Sequence, residues 1–101
     1  MLDVYEPAED SYLLSKTIKE FTPKILINKS NIKILDMGSG SGIQTENLIN
    51  NGINPKNITL SDINPKAIKY LRKRFSSSKI IKSNLFSNIR EKFDVIVFNP
   101  P

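Results

Sequence analysis

Leu13, Leu14, Thr17, Ile18 and Phe21 recur at intervals of three and four, the spacing of one face of an α-helix. Pro7 ahead of Glu9 and Asp10 supplies a helix start, with proline tolerated in the first turn and carboxylates at the positive end of the dipole. The pattern predicts an amphipathic helix from about 8 to 21, stopped before Pro23. Residues 24 to 31 hold a short apolar run, Ile25-Leu26-Ile27, that fits a loop or a helix extension equally well.

From Lys33 the pattern becomes regular. Lys33 to Met37 reads as a strand, Gly38 to Gly42 as a tight loop, and Ile43 to Asn50 as a helix with Gly52 just past its end. Ile58 to Asp62 reads as a second strand. Asn64-Pro65 then opens a helix whose buried stripe is Ala67, Ile68, Leu71 and Phe75. Lys79 to Lys82 reads as a third strand and Phe93 to Phe98 as a fourth. Strands alternating with helices predict a parallel sheet with right-handed crossovers, an α/β doubly wound fold. The continuous apolar run Val95-Ile96-Val97-Phe98 is the pattern of an interior strand covered on both faces.

Composition narrows the chemistry. The chain has 101 residues with neither cysteine nor histidine, so disulfides, thiolate or imidazole metal sites and Ser-His or Cys-His nucleophile pairs are excluded. No apolar run approaches the roughly 20 residues that span a bilayer, and the acidic start Met1 to Glu6 is unlike a signal peptide, so a soluble cytoplasmic protein without membrane contact is expected. Isoleucine, asparagine and lysine make up 38 of the 101 residues, which attributes much of the net charge of +5 to general residue usage. Its distribution is more informative. Asp3, Glu6, Glu9 and Asp10 stand in the first ten residues without a base, whereas Lys66, Lys69, Arg72, Lys73 and Arg74 follow one another without an acid. The second cluster fits the solvated face of a helix, or a surface meeting nucleic acid or an acidic partner.

Three sequence features carry candidate chemistry. A strand ending in glycines and feeding a helix lets a ligand approach the backbone while the helix N-terminus favours negative charge. The spacing here, Gly38, Gly40 and Gly42, is G-x-G-x-G, and Ile43 stands where a dinucleotide fingerprint has its third glycine. Asp62 lies at the end of the second strand, 20 residues after Gly42, where a carboxylate can accept both hydroxyl protons of a ribose; it could instead cap the helix that begins at Pro65. Asn99-Pro100-Pro101 follows the fourth strand. Ligands of open α/β sheets sit beyond the carboxyl ends of the strands, so this tripeptide offers carbonyl acceptors suited to a planar –NH2 group, or simply a proline turn.

Together these residues resemble the class I S-adenosylmethionine-dependent methyltransferases, whose Rossmann-like core carries the same three features, and among them those whose fourth strand ends in N-P-P-[YF]. The run Val4-Tyr5-Glu6-Pro7-Ala8-Glu9-Asp10-Ser11 is very like the opening of the HemK-related release-factor glutamine methyltransferases of archaea and eukaryotes. The resemblance implies S-adenosyl-L-methionine as cofactor. It implies that Ser11 contacts the cofactor from an N-terminal covering segment, residues 1–32, and that residues 33–101 form the cofactor-binding core. Asp36 and Gly38, within the loop completed by Gly40 and Gly42, would hold the methionine portion, with Asp62 on the ribose. Asn84 and Leu85 fall where the family has Asp-Leu beside the adenine, so Asn84 departs from the pattern by lacking the charge. Asn99, Pro100 and Pro101 would receive the substrate, the side-chain amide of a glutamine in a translation release factor. A small zinc-binding activator protein is a further expected partner.

Two other readings accompany this one. The acceptor could be an adenine or guanine amino group of nucleic acid, which the basic cluster favours, or the chain could be a cofactor-binding unit that needs a second polypeptide. The family's sheet has about seven strands and its substrate motif closes the fourth. A chain ending at Pro101 is therefore expected to be the N-terminal half of the fold.

Overall fold

A computed structural model describes residues 9–28 and 31–98 of the chain, with side chains from 13 to 27 and from 31 to 98. The order is α1 (Glu9–Asn28), β1 (Ile34–Met37), α2 (Ile43–Asn50), β2 (Ile58–Asp62), α3 (Pro65–Arg74), β3 (Lys79–Lys82) and β4 (Val95–Phe98), with a short 3-10 turn at Pro55–Asn57. The four strands form one parallel sheet in the order β3-β2-β1-β4. Strand order thus reverses between β1 and β4, and the crevice expected at such a switch point opens beyond their carboxyl ends.

Register determines what each face of the sheet meets. Ile34 pairs with both Ile58 and Val95, and Leu60 with Asp36 and Ile80, so these residues share one face. On that face Ile34, Ile58, Leu60 and Val97 join Ile18 of α1, Leu48 of α2 and Leu71 of α3 in a single apolar core, with Phe75 just past α3. All three helices therefore cover the same side. On the opposite face Leu35 and Met37 are buried, whereas Ile96 and Phe98 of β4 are each 47% exposed. The expectation of a β4 covered on both faces is not met among the described residues: β4 pairs only with β1, and one of its faces is open.

Helix α1 corrects the sequence expectation in two ways. It runs through Pro23 to Asn28, although an interior proline forfeits a backbone hydrogen bond and costs about 3 kcal/mol. The compensation is tertiary, because Ile25 and Leu26 beyond the proline extend the core contact made by Leu14 and Ile18. The buried face is also rotated from the expected one. Leu13 and Phe21 are exposed, and Thr22 is fully buried in their stead.

The other boundaries follow local chemistry. Asn64 caps α3 by accepting the Lys66 N–H at 2.9 Å, with Pro65 in the first turn. The start of β4 is tied to β1 by reciprocal bonds: Lys33 N–H donates to Asp94 Oδ2 at 2.8 Å, and Asp94 N–H to the Lys33 carbonyl at 2.8 Å.

Candidate cofactor site

Every described sequence-predicted site residue except Ser11 lies at or just beyond the carboxyl end of the parallel sheet, and the loops there are bonded to one another. Gly38, Gly40 and Gly42 have φ of 70°, 55° and 81°, the left-handed region that alternates with Ser39 and Ser41 to fold the chain tightly from β1 into α2. Gly38 N–H and Ser39 N–H both donate to the Ser61 carbonyl, at 2.9 and 3.0 Å, which holds the loop over the end of β2. Gly42 has a further duty: a Cβ there would lie 2.3 Å from Cε2 of the Phe75 ring, so this glycine lets the loop pack against the end of α3.

Asp62 is the link between loops. Its Oδ2 accepts the Gly40 N–H at 2.9 Å, and its Oδ1 accepts the Asn64 N–H at 2.9 Å. Asn64, not Asp62, caps α3, which answers the alternative open in the sequence. The Asp62 carboxylate stays partly exposed. Each oxygen takes one backbone donor and keeps a second lone pair for an incoming hydroxyl.

Asp36 behaves differently. Its carboxylate is 1% exposed and is turned towards α2, where Thr45 Oγ1 donates to Oδ2 at 2.8 Å. Burial pushes its pKa up to about 7; the Thr45 hydrogen bonds offset part of the effect and the nearby Asp62 charge adds to it. Asp36 thus acts from beneath the loop, anchoring the start of α2, while its main-chain carbonyl takes the Ser39 hydroxyl at 2.6 Å.

Beyond β3, Ser83 N–H donates to the Asp62 carbonyl at 3.0 Å, which brings Asn84 and Leu85 beside Asp62. Leu85 is 53% exposed and stands at φ 53°, a region costly for a residue of its size. Ser83 Oγ holds it there by donating to the Leu85 carbonyl at 2.6 Å, and Asn84 N–H donates to Ser87 Oγ at 3.1 Å. Such strain concentrates at functional sites. Asn99, Pro100 and Pro101 lie outside the described residues, as does the Ser11 side chain. The residue ahead of the tripeptide, Phe98, pairs with Met37, the residue ahead of Gly38.

Several contributors carry no motif. Thr45, which satisfies Asp36, and Ser83, which shapes the third loop, are both buried. Ser15 Oγ donates to Gln44 Oε1 at 3.1 Å and accepts from Asn47 Nδ2 at 2.7 Å, fastening α1 to α2.

Residues 12–101 match the methyltransferase small domain family. The chain belongs to that family. A protein of Methanocaldococcus jannaschii with the provisional name of protein N5-glutamine methyltransferase is 38% identical to this methyltransferase small domain over 98% of the chain and 47% of its own length. The ribosomal RNA small subunit methyltransferase C of Haemophilus influenzae is 37% identical over 73% of the chain and 23% of its own length. The chain thus spans about half or less of the length of the curated relatives it matches. Among solved structures, a ribosomal protein L11 methylase of Lactobacillus delbrueckii subsp. bulgaricus superposes with a TM-score of 0.69 at 17% identity, over 92% of the chain and 47% of that protein. That likeness concerns the fold, which is the Rossmann-like fold of class I methyltransferases.

The cofactor of this family is S-adenosylmethionine, and the residues present suit it. A left-handed glycine loop opens the backbone to a ligand at a helix start, and a partly exposed carboxylate is held beside it by Gly40 and Asn64 with acceptor capacity for a ribose diol. No helix of the described residues is long and apolar enough to cross a membrane.

Proposed function

We propose that this methyltransferase small domain is the cofactor-binding part of a HemK-related N-methyltransferase whose acceptor is the glutamine side-chain amide of a translation release factor. The observation that carries cofactor binding is the Asp62 carboxylate at the end of β2, bonded at 2.9 Å to Gly40 of the loop after the neighbouring β1. The glutamine acceptor is supported by the 38% identity to the relative named for that reaction and by the Asn99-Pro100-Pro101 sequence after β4.

S-adenosylmethionine supplies an electrophilic sulfonium methyl group. In this reading the loop 38–42, with Gly38, Gly40 and Gly42, and the buried Asp36 beneath it hold the methionine end. Asp62 would take the ribose hydroxyls, Asn84 and Leu85 would flank the adenine, and Ser11 would contact the cofactor from the segment 1–32. An amide nitrogen is a weak nucleophile because its lone pair is delocalised. Asn99 Oδ1 and the Pro100 carbonyl accept its two N–H groups, raise electron density on nitrogen and orient it, and Pro101 bounds the pocket. The nitrogen would gain the methyl group as the sulfur–methyl bond breaks and its electron pair stays on sulfur, leaving a neutral thioether, and would give up one proton to water, so positioning and electrostatics suffice in a chain with no histidine. A small zinc-binding activator is the partner expected of this type.

A second reading places the methyl group on an amino group of nucleic acid, favoured by the 37% identity to a ribosomal RNA methyltransferase. Tritiated S-adenosylmethionine offered with either release factor or ribosomal RNA separates them. Label on a glutamine of the release factor is expected, and label on RNA alone overturns the proposal. Asn99→Ala should abolish turnover with cofactor affinity unchanged. Asp62→Asn should weaken cofactor binding by about 10- to 150-fold, the equivalent of a charged hydrogen bond of about 1.5–3 kcal/mol.

A further inference from the structure

A concave groove of about 400 Å³ opens between α3 and the edge strand β3, lined by Pro65, Ile68, Lys69, Arg72, Lys73 and Lys82. Four of its six lining residues are cations. Lys69, Arg72 and Lys73 stand at i, i+3 and i+4 of α3 and so share one side of the helix. Lys82, paired in register with Asp62, faces them from β3. All four are exposed, and no ion pair joins any of them to a carboxylate among the described residues. Their neighbours are engaged elsewhere: Arg74 binds Glu46 at 2.8 Å, and Lys79 binds Glu91 at 2.6 Å. Favourable interaction with the helix dipole accounts for basic residues in the last turn of α3. It does not account for Lys69, or for Lys82 on a different element converging on the same hollow.

We propose that this groove is a docking track for the phosphodiester backbone of a nucleic-acid strand. The cations lie along a helix at spacings of about 5–6 Å, a density of charge that a phosphate backbone matches. The groove holds no aromatic side chain to stack a base, so the contact is to phosphates and carries no sequence preference. Pro65 and Lys82 place one end of the track at the carboxyl edge of the sheet, beside Asp62. The inference goes beyond the methyl-transfer reading and does not depend on which nitrogen is methylated. A nucleic acid bound here is a tether or guide whether or not it is also the acceptor.

The test is binding of a fluorescent single-stranded RNA oligonucleotide to the purified chain between 50 and 200 mM KCl, with cofactor binding measured separately by calorimetry. Four phosphate contacts give a contribution to the slope of log K against log salt of about −3, or about 50-fold in affinity across that range. The variant Lys69→Gln, Arg72→Gln, Lys73→Gln, Lys82→Gln should flatten the slope by at least two and leave cofactor affinity unchanged. A control with Lys16, Lys19, Lys56 and Lys92 all changed to Gln removes the same charge from outside the groove and should change the slope by less than two. In the wild-type chain, bound RNA should protect Lys69, Lys73 and Lys82 from acetylation, a readout that needs no variant to fold. Equal losses in the two variants, a change of less than two in the groove variant, or no protection overturns the proposal. So does displacement of RNA by polyglutamate at an equal charge concentration, which would assign the groove to an acidic polypeptide.

Discussion

Replacing Asp36 by asparagine tests whether the loop over β1 rests on a carboxyl group that is neutral at mildly acidic pH. The side chain is 1% exposed, and burial pushes its pKa from 3.8 up to about 7. In the unfolded chain the proton leaves near pH 4, whereas the folded chain keeps it to about pH 7. Unfolding therefore releases a proton between these values, and stability falls as pH rises through the window and levels off above it. The full gap corresponds to about 4 kcal/mol, of which about 2 kcal/mol falls between pH 5 and pH 7 and about 3 kcal/mol by pH 8. Asparagine cannot ionise, yet its carbonyl oxygen can still accept the Thr45 hydroxyl that Asp36 Oδ2 takes at 2.8 Å. The variant should match the wild type near pH 5 and exceed it by about 3 kcal/mol at pH 8. With a urea slope of about 1.5 kcal/mol per M, the unfolding midpoints separate by about 2 M. Glu91, held below its usual value of 4.5 by its hydrogen bond and ion pair with Lys79, is common to both proteins and cancels in their difference. Urea titrations at pH 5, 6, 7 and 8 provide the measurement, and a carbon-13 titration of the Asp36 carboxyl should have its midpoint near 7. Parallel pH profiles for the two proteins would refute the reasoning, because they would mean that Asp36 is ionised and compensated in the fold.

Gly42→Ala should destabilise the chain by more than about 2 kcal/mol. The substitution forces a side chain into φ 81° and sets its Cβ 2.3 Å from the Phe75 ring. In a double-mutant cycle Phe75→Ala should recover the steric part but not the backbone part, and strict additivity in denaturant unfolding would contradict this contact. Asn64→Ala removes the cap that accepts the Lys66 N–H, and thermal unfolding should report a loss of about 0.5–2 kcal/mol. A loss near zero would mean that Pro65 alone defines the start of α3.

The sequence by itself determined the elements and their order. Alternation of strand and helix signals, the glycines at 38, 40, 42 and 52, and the Asn64-Pro65 start are local properties, and each was legible because backbone conformation at those points has few solutions. It also named Asp36, Gly38, Gly40, Gly42, Asp62, Asn84 and Leu85, which the fold gathers at the carboxyl end of the sheet, because a parallel α/β order carries each strand's following loop to the same edge. Only the tertiary structure decided that α1 continues through Pro23, since the apolar contacts of Ile25 and Leu26 that outweigh the lost hydrogen bond are made to residues distant in the chain. It decided that all three helices cover one face and leave Ile96 and Phe98 open on the other, which strand register and not the apolar run dictates. It also separated two aspartates that the sequence presents alike. Asp36 lies under α2 with its charge suppressed by burial, and Asp62 stays at the rim with its carboxylate available, because burial is set by what packs over a residue and not by the residue itself.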